Sequence, residues 1–194
     1  MRLIVAMTGA TGAIYGIRLL EILKEKGLET HLILSRWAEE TIKVETSWTV
    51  EAVRELASAC YREDDLGASL ASGSFRHQGM IIIPCSMKTL AAVAHGLAMN
   101  LITRAADVTL KEGRKLVLVP RETPLNAIHL ENMLKLARLG AVILPPMPAF
   151  YHHPRSLQDL IDHLVGRILD QFDIDHRLYQ RWSGLPKGKE GAKA

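Results

Sequence analysis

Short, mainly apolar runs alternate along the chain with longer segments in which apolar residues recur every three or four positions. Runs of about five apolar residues are typical of strands buried on both faces, and the longer spacing is typical of amphipathic helices. The pattern predicts strands at residues 3–7, 30–34, 79–83, 115–119 and 141–144. It predicts helices at residues 14–26, 38–44, 49–58, 87–95, 101–110, 128–139 and 156–172.

Strands that alternate with helices predict one α/β domain, a doubly wound parallel sheet with helices on both faces. We expect the domain to span residues 1–185, with a polar loop or lid at residues 61–74 and a disordered tail at residues 186–194. Such sheets bind ligands beyond the carboxyl ends of their strands. Several polar residues follow predicted strands and are candidates for a binding site: Thr11, Ser35, Ser86, Lys88, Arg121, Glu122 and Tyr151.

The loop between the first predicted strand and helix contains Gly9, Thr11 and Gly12 and no charged residue. Its backbone N–H groups and the positive end of the helix dipole favour a phosphate group, and glycine lets a ligand approach closely. The loop lacks the Gly-Lys-Ser/Thr of a Walker motif and the full glycine set of the dinucleotide fingerprint. The alternative is a tight turn that binds nothing. A second loop of the same design follows the third predicted strand, where Ser86 is a candidate N-cap.

Composition and charge narrow the classes of partner. The 24 basic and 21 acidic residues give a net charge of +3, which is too small to favour a nucleic acid. The two cysteines, Cys60 and Cys85, lie in different settings and predict no disulfide, as expected for a cytoplasmic protein. No metal-ligand spacing involves the two cysteines, and the sequence has no signal peptide and no apolar run of membrane-spanning length, so we expect no membrane contact.

Five segments together resemble the UbiX-like flavin prenyltransferases, long described as phenylacrylic-acid or polyprenylbenzoate decarboxylases. They are residues 9–13 (GATGA), 84–90 (PCSMKTL), 104–108 (RAADV), 118–124 (LVPRETP) and 148–152 (PAFYH). The resemblance implies a Rossmann- or flavodoxin-like sheet that binds FMN at a subunit interface of a homododecamer. It also implies that the dimethylallyl group of dimethylallyl phosphate joins N5 and C6 of reduced FMN, without a metal, while phosphate leaves. The prenylated FMN would then serve a UbiD-like decarboxylase as its cofactor.

The resemblance assigns the prenyl donor to a set of cationic and phenolic side chains. It implies that Tyr151 and Arg167 bind dimethylallyl phosphate, with Arg104 and Lys111 as further cations on the phosphate side. Guanidinium and phenol groups suit a phosphate because they donate several hydrogen bonds to its oxygens. Without the resemblance, Arg167 would be interpreted as a residue on the polar face of the last helix.

The resemblance also identifies flavin contacts and groups for proton transfer. Glu45 and Glu122 are the acid–base candidates for removing the C6 proton, a phosphate oxygen being the alternative, and Thr11 and Lys111 complete the catalytic set. Without the resemblance, Glu45 would be interpreted as an ordinary carboxylate at a helix end and Lys88 as a solvated helix residue. FMN contacts are implied for Gly9, Ala10, Thr11, Ser35, Ser86, Met87, Lys88, Thr89 and Arg121.

Other functions stay open at this point. An FMN-dependent decarboxylase of aromatic acids or of a peptidyl cysteine would share the sheet, although no segment matches the catalytic histidine expected of a cysteine decarboxylase. A non-catalytic FMN carrier would need Thr11, Ser86 and Arg121 but not Tyr151 and Arg167. An NAD-dependent oxidoreductase is disfavoured because no acidic residue directly follows the second predicted strand. The sequence leaves the donor open between the monophosphate and the pyrophosphate.

Overall fold

The predicted apolar runs form one parallel sheet in the computed structural model, which describes residues 1–185. The strands are β1 (Arg2–Met7), β2 (Glu29–Leu34), β3 (Ala59–Arg62), β4 (Gly79–Cys85), β5 (Lys115–Pro120) and β6 (Val142–Ile143). The helices are α1 (Ala13–Glu25), α2 (Arg36–Glu45), α3 (Val50–Arg54), α4 (Met87–Ala94), α5 (Leu101–Lys111), α6 (Ala127–Arg138) and α7 (Leu157–Asp170), with a short 3-10 turn at Ser69–Ala71.

The strands lie in the order β3-β2-β1-β4-β5-β6, and every neighbouring pair is parallel. This is the strand order of the dinucleotide-binding Rossmann fold, and without the short edge strand β3 it is the flavodoxin order. The prediction of a doubly wound α/β sheet is therefore confirmed. The chain reverses its direction of winding between β1 and β4, where a sheet of this kind leaves a crevice for a ligand.

Successive residues of a strand face two separate apolar cores. Leu3, Val5 and Met7 of β1 pack with α1, α2, α3 and α7 on one side of the sheet. Ile4 and Ala6 pack with α4, α5 and α6 on the other side. All five side chains are fully buried. Burial on both sides explains why β1 is a continuous apolar run rather than an alternation of apolar and polar residues.

Polar caps fix where the helices begin. In six of the helices within residues 1–185 the side-chain oxygen of the residue before the first turn accepts a backbone N–H of that turn. The capping residues are Ser35, Thr49, Ser86, Asn100, Asn126 and Ser156. Because Ser35 and Ser86 follow β2 and β4 directly, these two helices begin at the carboxyl edge of the sheet.

Two predicted elements differ from the structure. Residues 59–62 form the edge strand β3, where the pattern predicted no strand: the expected helix stopped at residue 58 and the expected loop began at residue 61. β3 pairs with β2 over the register His31↔Ala59 to Leu34↔Arg62, and its side chains are alternately half-buried and exposed, so it lacks an apolar run. The helix expected at residues 49–58 ends at Arg54, because Ser58 already donates its N–H to the carbonyl of Thr30 in β2 (2.9 Å).

Several expectations concern the chain as a whole. Cys60 and Cys85 are free, as predicted, and burial raises the pKa of the Cys85 thiol to about 12, which leaves it a neutral packing residue. Across residues 1–185, none of the helices combines the length and the apolar character needed to cross a membrane. The same residues contain no group of three or more His, Cys, Asp or Glu side chains placed to hold a metal ion. The tail predicted at residues 186–194 lies outside the described residues.

Candidate active site

A cleft of about 300 Å³ lies at the carboxyl ends of β1, β2 and β4, where the winding of the sheet reverses. This volume is near the lower limit for ligand pockets, so a large ligand would extend beyond the cleft. Five of the residues predicted to contact FMN line the cleft: Gly9, Ser35, Ser86, Lys88 and Thr89. The remaining lining residues were not predicted: Thr8, Trp37, Glu63, Asn100 and Ile102.

The cleft collects hydrogen-bond donors and positive charge. α2 and α4 begin at its walls, where Ser35 Oγ accepts the N–H of Ala38 (3.0 Å) and Ser86 Oγ accepts the N–H of Thr89 (3.3 Å). The start of a helix carries a partial positive charge, and the Lys88 ammonium adds a full one. Hydroxyls, free N–H groups and a cation together form a donor set for an anion such as phosphate.

Thr8 joins the two loops that form the floor of the cleft. Its Oγ1 donates to the carbonyl of Pro84 (2.8 Å) and accepts the N–H of Ser86 (2.8 Å). The side chain is almost completely buried, so water does not compete for these bonds. Thr8 therefore holds the loop after β1 against the loop after β4. Thr8 directly precedes the first motif, residues 9–13, and was not among the predicted site residues.

Glu45 takes the position where the first loop predicted a phosphate. Its Oε2 lies 2.8 Å from the nitrogen of Gly12 and 3.2 Å from the nitrogen of Ala13, at the start of α1. A carboxylate thus already accepts the N–H groups that would bind an anion there. The donor set for a phosphate is instead the cleft between the starts of α2 and α4, to which the first loop contributes Gly9.

Gly9 is required by the close approach of the first loop to α2. A Cβ built on Gly9 would overlap the Cβ of Trp37 in the first turn of α2. The Trp37 side chain is 66% exposed at the edge of the cleft, where an aromatic ring offers a stacking surface to a planar ligand. Trp37 follows the predicted binding residue Ser35 by two positions, and that proximity was the signal that could have identified it.

Glu63 and Asn100 close the side of the cleft next to β3. Glu63 Oε1 accepts the N–H of Arg36 (2.8 Å), and its Oε2 accepts an amide N–H of Asn100 (2.8 Å). Asn100 also caps α5 by accepting the N–H of Thr103 (3.0 Å). An asparagine before a helical apolar pattern is a start signal that could have identified Asn100. Glu63 had no such signal, because its position depends on the unpredicted strand β3.

The other predicted flavin and acid–base residues lie around the cleft without lining it. Ala10 and Thr11 belong to the loop that carries Gly9, and Thr11 is exposed. The Met87 side chain packs against the core beside α4, α5 and α6, which leaves its backbone for contact with a ligand. Arg121 and Glu122 are exposed in the loop after β5, where Arg121 donates its N–H to a carbonyl of β4 (3.2 Å).

The predicted donor-binding residues Tyr151 and Arg167 belong to a second group of side chains on α7 and beside it. The Tyr151 hydroxyl lies 3.1 Å from His163 Nε2, and the His163 ring lies 4.6 Å from the ring of Tyr179. Arg167 follows His163 by one turn, and the hydrogen bond that its guanidinium donates to the Tyr179 hydroxyl oxygen raises the pKa of the guanidinium. We call Tyr151, His163, Arg167 and Tyr179 the α7 cluster. It shares no residue with the cleft at β1 and β4.

Asp170 connects the α7 cluster to the segment that follows it. Its carboxylate accepts hydrogen bonds from the Tyr179 hydroxyl (2.7 Å), His176 Nε2 (3.1 Å) and Arg181 Nη2 (2.5 Å). Burial alone would raise the pKa of Asp170, but the bonds from Arg181, Tyr179 and His176 outweigh burial and lower it to about 2. Arg167 lies 3.4 Å from the same carboxylate and keeps half of its side chain exposed to a groove of about 490 Å³.

Arg104 and Lys111 lie at opposite ends of α5. Arg104 is near the start, where Nε donates to the carbonyl of Ala71 (3.1 Å) and Nη1 pairs with Asp107 (2.8 Å). α5 has eleven residues and is therefore about 16 Å long. Lys111 is its last residue and pairs with Glu112. β5 begins only four residues later, so Lys111 lies at the amino edge of the sheet. The structure therefore does not bring Lys111 to the cleft of its own chain.

Comparison with known proteins agrees with this architecture. A family model described as Flavoprotein matches residues 1–169. A probable UbiX-like flavin prenyltransferase of Bacillus subtilis (strain 168) is 58% identical over 192 residues, which are 99% of this chain and 94% of the relative. The crystal structure of AnUbiX (PadA1) in complex with FMN and dimethylallyl pyrophosphate is 56% identical, with a TM-score of 0.94 over 95% of this chain and 98% of that one. The crystal structure of a dodecameric FMN-dependent UbiX-like decarboxylase from Escherichia coli O157:H7 is also 56% identical, with a TM-score of 0.93 over 95% of this chain and 100% of that one. This chain therefore belongs to the family of UbiX-like flavin prenyltransferases.

Proposed function

We propose that this protein joins the dimethylallyl group of dimethylallyl phosphate to N5 and C6 of reduced FMN and releases phosphate. The observation that carries the proposal is the cleft at β1 and β4, where four hydroxyl-bearing residues, two helix starts and Lys88 converge. Membership of the flavin prenyltransferase family supports the reaction, and AnUbiX (PadA1), solved with FMN and dimethylallyl pyrophosphate, supports both reactants.

The residues of the cleft fit the phosphate end of FMN. The Ser35 and Ser86 hydroxyls would donate to the phosphate, together with those first-turn N–H groups of α2 and α4 that Glu63, Ser35 and Ser86 do not already accept, and Lys88 would balance its charge. Gly9 allows the first loop to lie directly against Trp37 of α2, because a Cβ at this position would overlap the Trp37 Cβ, and this approach sets the shape of the cleft. A cleft of about 300 Å³ covers only part of a flavin nucleotide, so a second surface is needed to cover the ring.

Reduced FMN supplies the electron-rich N5 and C6 positions that the dimethylallyl group joins. Arg167 and Tyr151 would bind the phosphate of the donor and take up the negative charge that develops when its C–O bond breaks, the electron pair staying on the phosphate oxygen. Arg167 suits this role because half of its side chain is exposed and its ion pair with Asp170 is long, at 3.4 Å. Most of its five N–H donors therefore stay available for phosphate oxygens.

The second bond would form when the C=C bond of the N5-bound group takes up a proton at one carbon and its other carbon accepts an electron pair from C6. C6 then carries a proton that a base must remove. Glu122 is exposed on the loop after β5, at the carboxyl edge of the sheet where the cleft lies. Glu45 uses Oε2 to hold the start of α1, and its Oε1 has no hydrogen-bond partner within residues 1–185. Thr11 belongs to the loop that Glu45 holds. We therefore keep both carboxylates as candidates, with an oxygen of the released phosphate as the third.

The cleft at β1 and β4 and the α7 cluster share no residue within one chain, and this separation supports a site built from more than one chain. The cleft of one copy would face the α7 cluster of another, in a homododecamer like the one described for the Escherichia coli relative. α6 supplies a candidate contact surface, since Ile128, Leu130 and Leu134 are each more than half exposed. Any role for Lys111 in the reaction would likewise require a neighbouring copy. Light scattering after size-exclusion chromatography would test this, and a monomer that transfers the prenyl group would contradict it.

The reaction is tested under anaerobic conditions. The purified protein is incubated with reduced FMN and dimethylallyl phosphate, and the released flavin is examined by mass spectrometry. A flavin heavier by one prenyl unit, together with free phosphate, supports the proposal. Arg167→Ala should abolish most of the transfer, whereas Arg177→Ala, on an exposed arginine nearby, should leave it unchanged. Unmodified flavin with both the monophosphate and the pyrophosphate donor would contradict the reaction.

An FMN-dependent decarboxylase is the second candidate, because the Escherichia coli relative is described as one. In that case the FMN-loaded protein would release carbon dioxide from an aromatic acid without a prenyl donor. Carbon dioxide release under those conditions would favour the decarboxylase, and its absence together with prenylated flavin would favour the transferase. A non-catalytic carrier would bind FMN and leave both the flavin and the acid unchanged.

The product and its recipient follow from the proposed reaction. Prenylated FMN would be delivered to a UbiD-like decarboxylase, which would use it as its cofactor. The proposed location is the cytoplasm, because the two cysteines stay free and suit a reducing compartment. The test is to supply a UbiD-like apoenzyme with the reaction mixture, and decarboxylation that requires this protein, FMN and the prenyl donor together is the expected result.

A further inference from the structure

His163 is the side chain that holds the hydroxyl of Tyr151. Its Nε2 lies 3.1 Å from the phenolic oxygen, and the two rings meet edge to face at 78° with their centroids 5.7 Å apart. We propose that His163 is a positioning residue for the phosphate of the prenyl donor, because it fixes the Tyr151 hydroxyl where it can donate to a phosphate oxygen. This inference rests on the proposed function, in which Tyr151 and Arg167 bind that phosphate.

His163 is itself held in one orientation. It is 7% exposed, and its ring stacks on His152 with centroids 4.8 Å apart and planes 8° apart, while Tyr179 packs on it at 4.6 Å. Both ring nitrogens of His152 are buried and have no hydrogen-bond partner within residues 1–185, so this ring contributes packing rather than hydrogen bonding. Arg167 follows His163 by four residues on α7, which places both side chains on one face of the helix.

The number of protons decides the direction of the hydrogen bond. Tyr151 has one O–H proton and cannot donate it to His163 and to a phosphate at once. With phosphate bound, His163 therefore donates its Nε2–H to the phenolic oxygen and leaves the Tyr151 proton for the phosphate. A neutral imidazole in the Nε2–H tautomer can do this, so the arrangement needs no charge on His163. Burial, His152 and Arg167 all lower the pKa of His163, against a smaller opposite effect of Asp170, which favours that neutral form.

The experiment separates hydrogen bonding from packing. Dimethylallyl phosphate is titrated by calorimetry into the assembled protein loaded with oxidised FMN, which lacks the electron-rich positions needed for transfer. His163→Gln places an amide N–H near the position of Nε2, whereas the shorter side chain of His163→Asn stops near Nδ1. We expect His163→Asn to bind the donor about fivefold more weakly, the loss of one neutral hydrogen bond, and His163→Gln to recover most of that loss. The affinity for FMN should be equal in all variants.

A double-mutant cycle with Tyr151→Phe provides the decisive readout. If His163 acts through the Tyr151 hydroxyl, His163→Asn should cause no further loss in the Tyr151→Phe background. The inference would be overturned if His163→Asn weakened donor binding by the same factor in the Tyr151→Phe background as in the wild type. It would also be overturned if the His163→Asn variant bound the donor as tightly as the wild type. If His163→Asn does not assemble, His163→Phe, which keeps the ring stack, replaces it in the same cycle. A wild-type protein that binds no dimethylallyl phosphate also overturns the inference, whereas one that binds it and transfers nothing overturns only the proposed reaction.

Discussion

The contact between Glu45 and the start of α1 shows how the first loop is held and can be tested directly. Glu45 Oε2 accepts the N–H groups of Gly12 (2.8 Å) and Ala13 (3.2 Å) across an interval of more than thirty residues. Glu45→Ala removes the acceptor and the negative charge, whereas Glu45→Gln keeps an oxygen acceptor and removes only the charge. Glu40→Ala is the matched control, because Glu40 lies on the exposed side of the same helix and pairs only with Lys43 (2.9 Å).

The expected cost follows from the exposure of the contact. Hydrogen bonds to a charged group contribute about 1.5–3 kcal/mol each, but the N–H of Gly12 faces solvent, and water can replace the carboxylate, so we take about 1 kcal/mol for both bonds. The interaction of the charge with the helix dipole adds about 0.3–1 kcal/mol. Glu45→Ala should therefore lower the free energy of unfolding by about 1.5 kcal/mol, and Glu45→Gln by about 0.5 kcal/mol. Glu40→Ala should cost at most about 0.5 kcal/mol.

Urea unfolding at a fixed protomer concentration measures these differences, since assembly makes stability depend on concentration. A Glu45→Ala variant as stable as Glu40→Ala would refute the reasoning. The rate of prenyl transfer then separates the two roles of Glu45. If Glu45 only holds α1, Glu45→Gln should stay within about threefold of the wild-type rate. If Glu45 removes the C6 proton, the same variant should lose at least about 100-fold.

Three further predictions concern the cleft and the α7 cluster. Gly9→Ala should weaken FMN binding at least tenfold in a fluorescence titration, because the new methyl group overlaps Trp37 of α2. Gly67→Ala is the control, because its methyl group would make only an ordinary contact at 3.6 Å, and it should leave the affinity for FMN unchanged. Equal affinities of the two variants for FMN would contradict the proposed close approach of the first loop to α2. Ser86→Ala and Ser156→Ala should each lower the free energy of unfolding by about 1 kcal/mol through a lost N-cap, but only Ser86→Ala should weaken FMN binding. Asp170 has a pKa of about 2 when folded and an ordinary value of 3.8, so its contribution to stability is complete above pH 4 and is lost as the pH falls towards 2. Asp170→Asn should remove that part of the acid sensitivity, and an unchanged acid-unfolding curve would contradict the assignment.

The fold was largely predictable because buried elements leave a local pattern. The apolar run at residues 3–7 became β1, and the cap predicted at Ser86 marks the true start of α4. β3 was missed because an edge strand needs no apolar run: its backbone is ordered by pairing with β2, and its side chains stay partly exposed. Glu63 was missed for the same reason, since it reaches the cleft only because β3 carries the chain there.

The sequence predicted half of the residues that line the candidate site, but not the geometry of the site. The loop pattern indicated an anion site at the start of α1, but Glu45, distant in sequence, takes those N–H groups. The sequence grouped Lys111 with Arg104, and the length of α5 places them at opposite ends. No spacing along the chain links Tyr151 to His163, because their contact depends on how the loop before α7 folds back on that helix.

The sequence by itself determined the class of sheet, most of the helix starts and, through its five motifs, the family, and it predicted the edge of the sheet at which a ligand would bind. These features depend on local periodicity, on residues next to one another and on the chemical type of each side chain, all of which can be read without knowing the tertiary structure. The tertiary structure decided which N–H groups remain free for an anion, which cations reach the same edge, and that the cleft and the α7 cluster are separate within one chain. Those facts depend on contacts between residues far apart in sequence, and such contacts exist only once the sheet has ordered its strands.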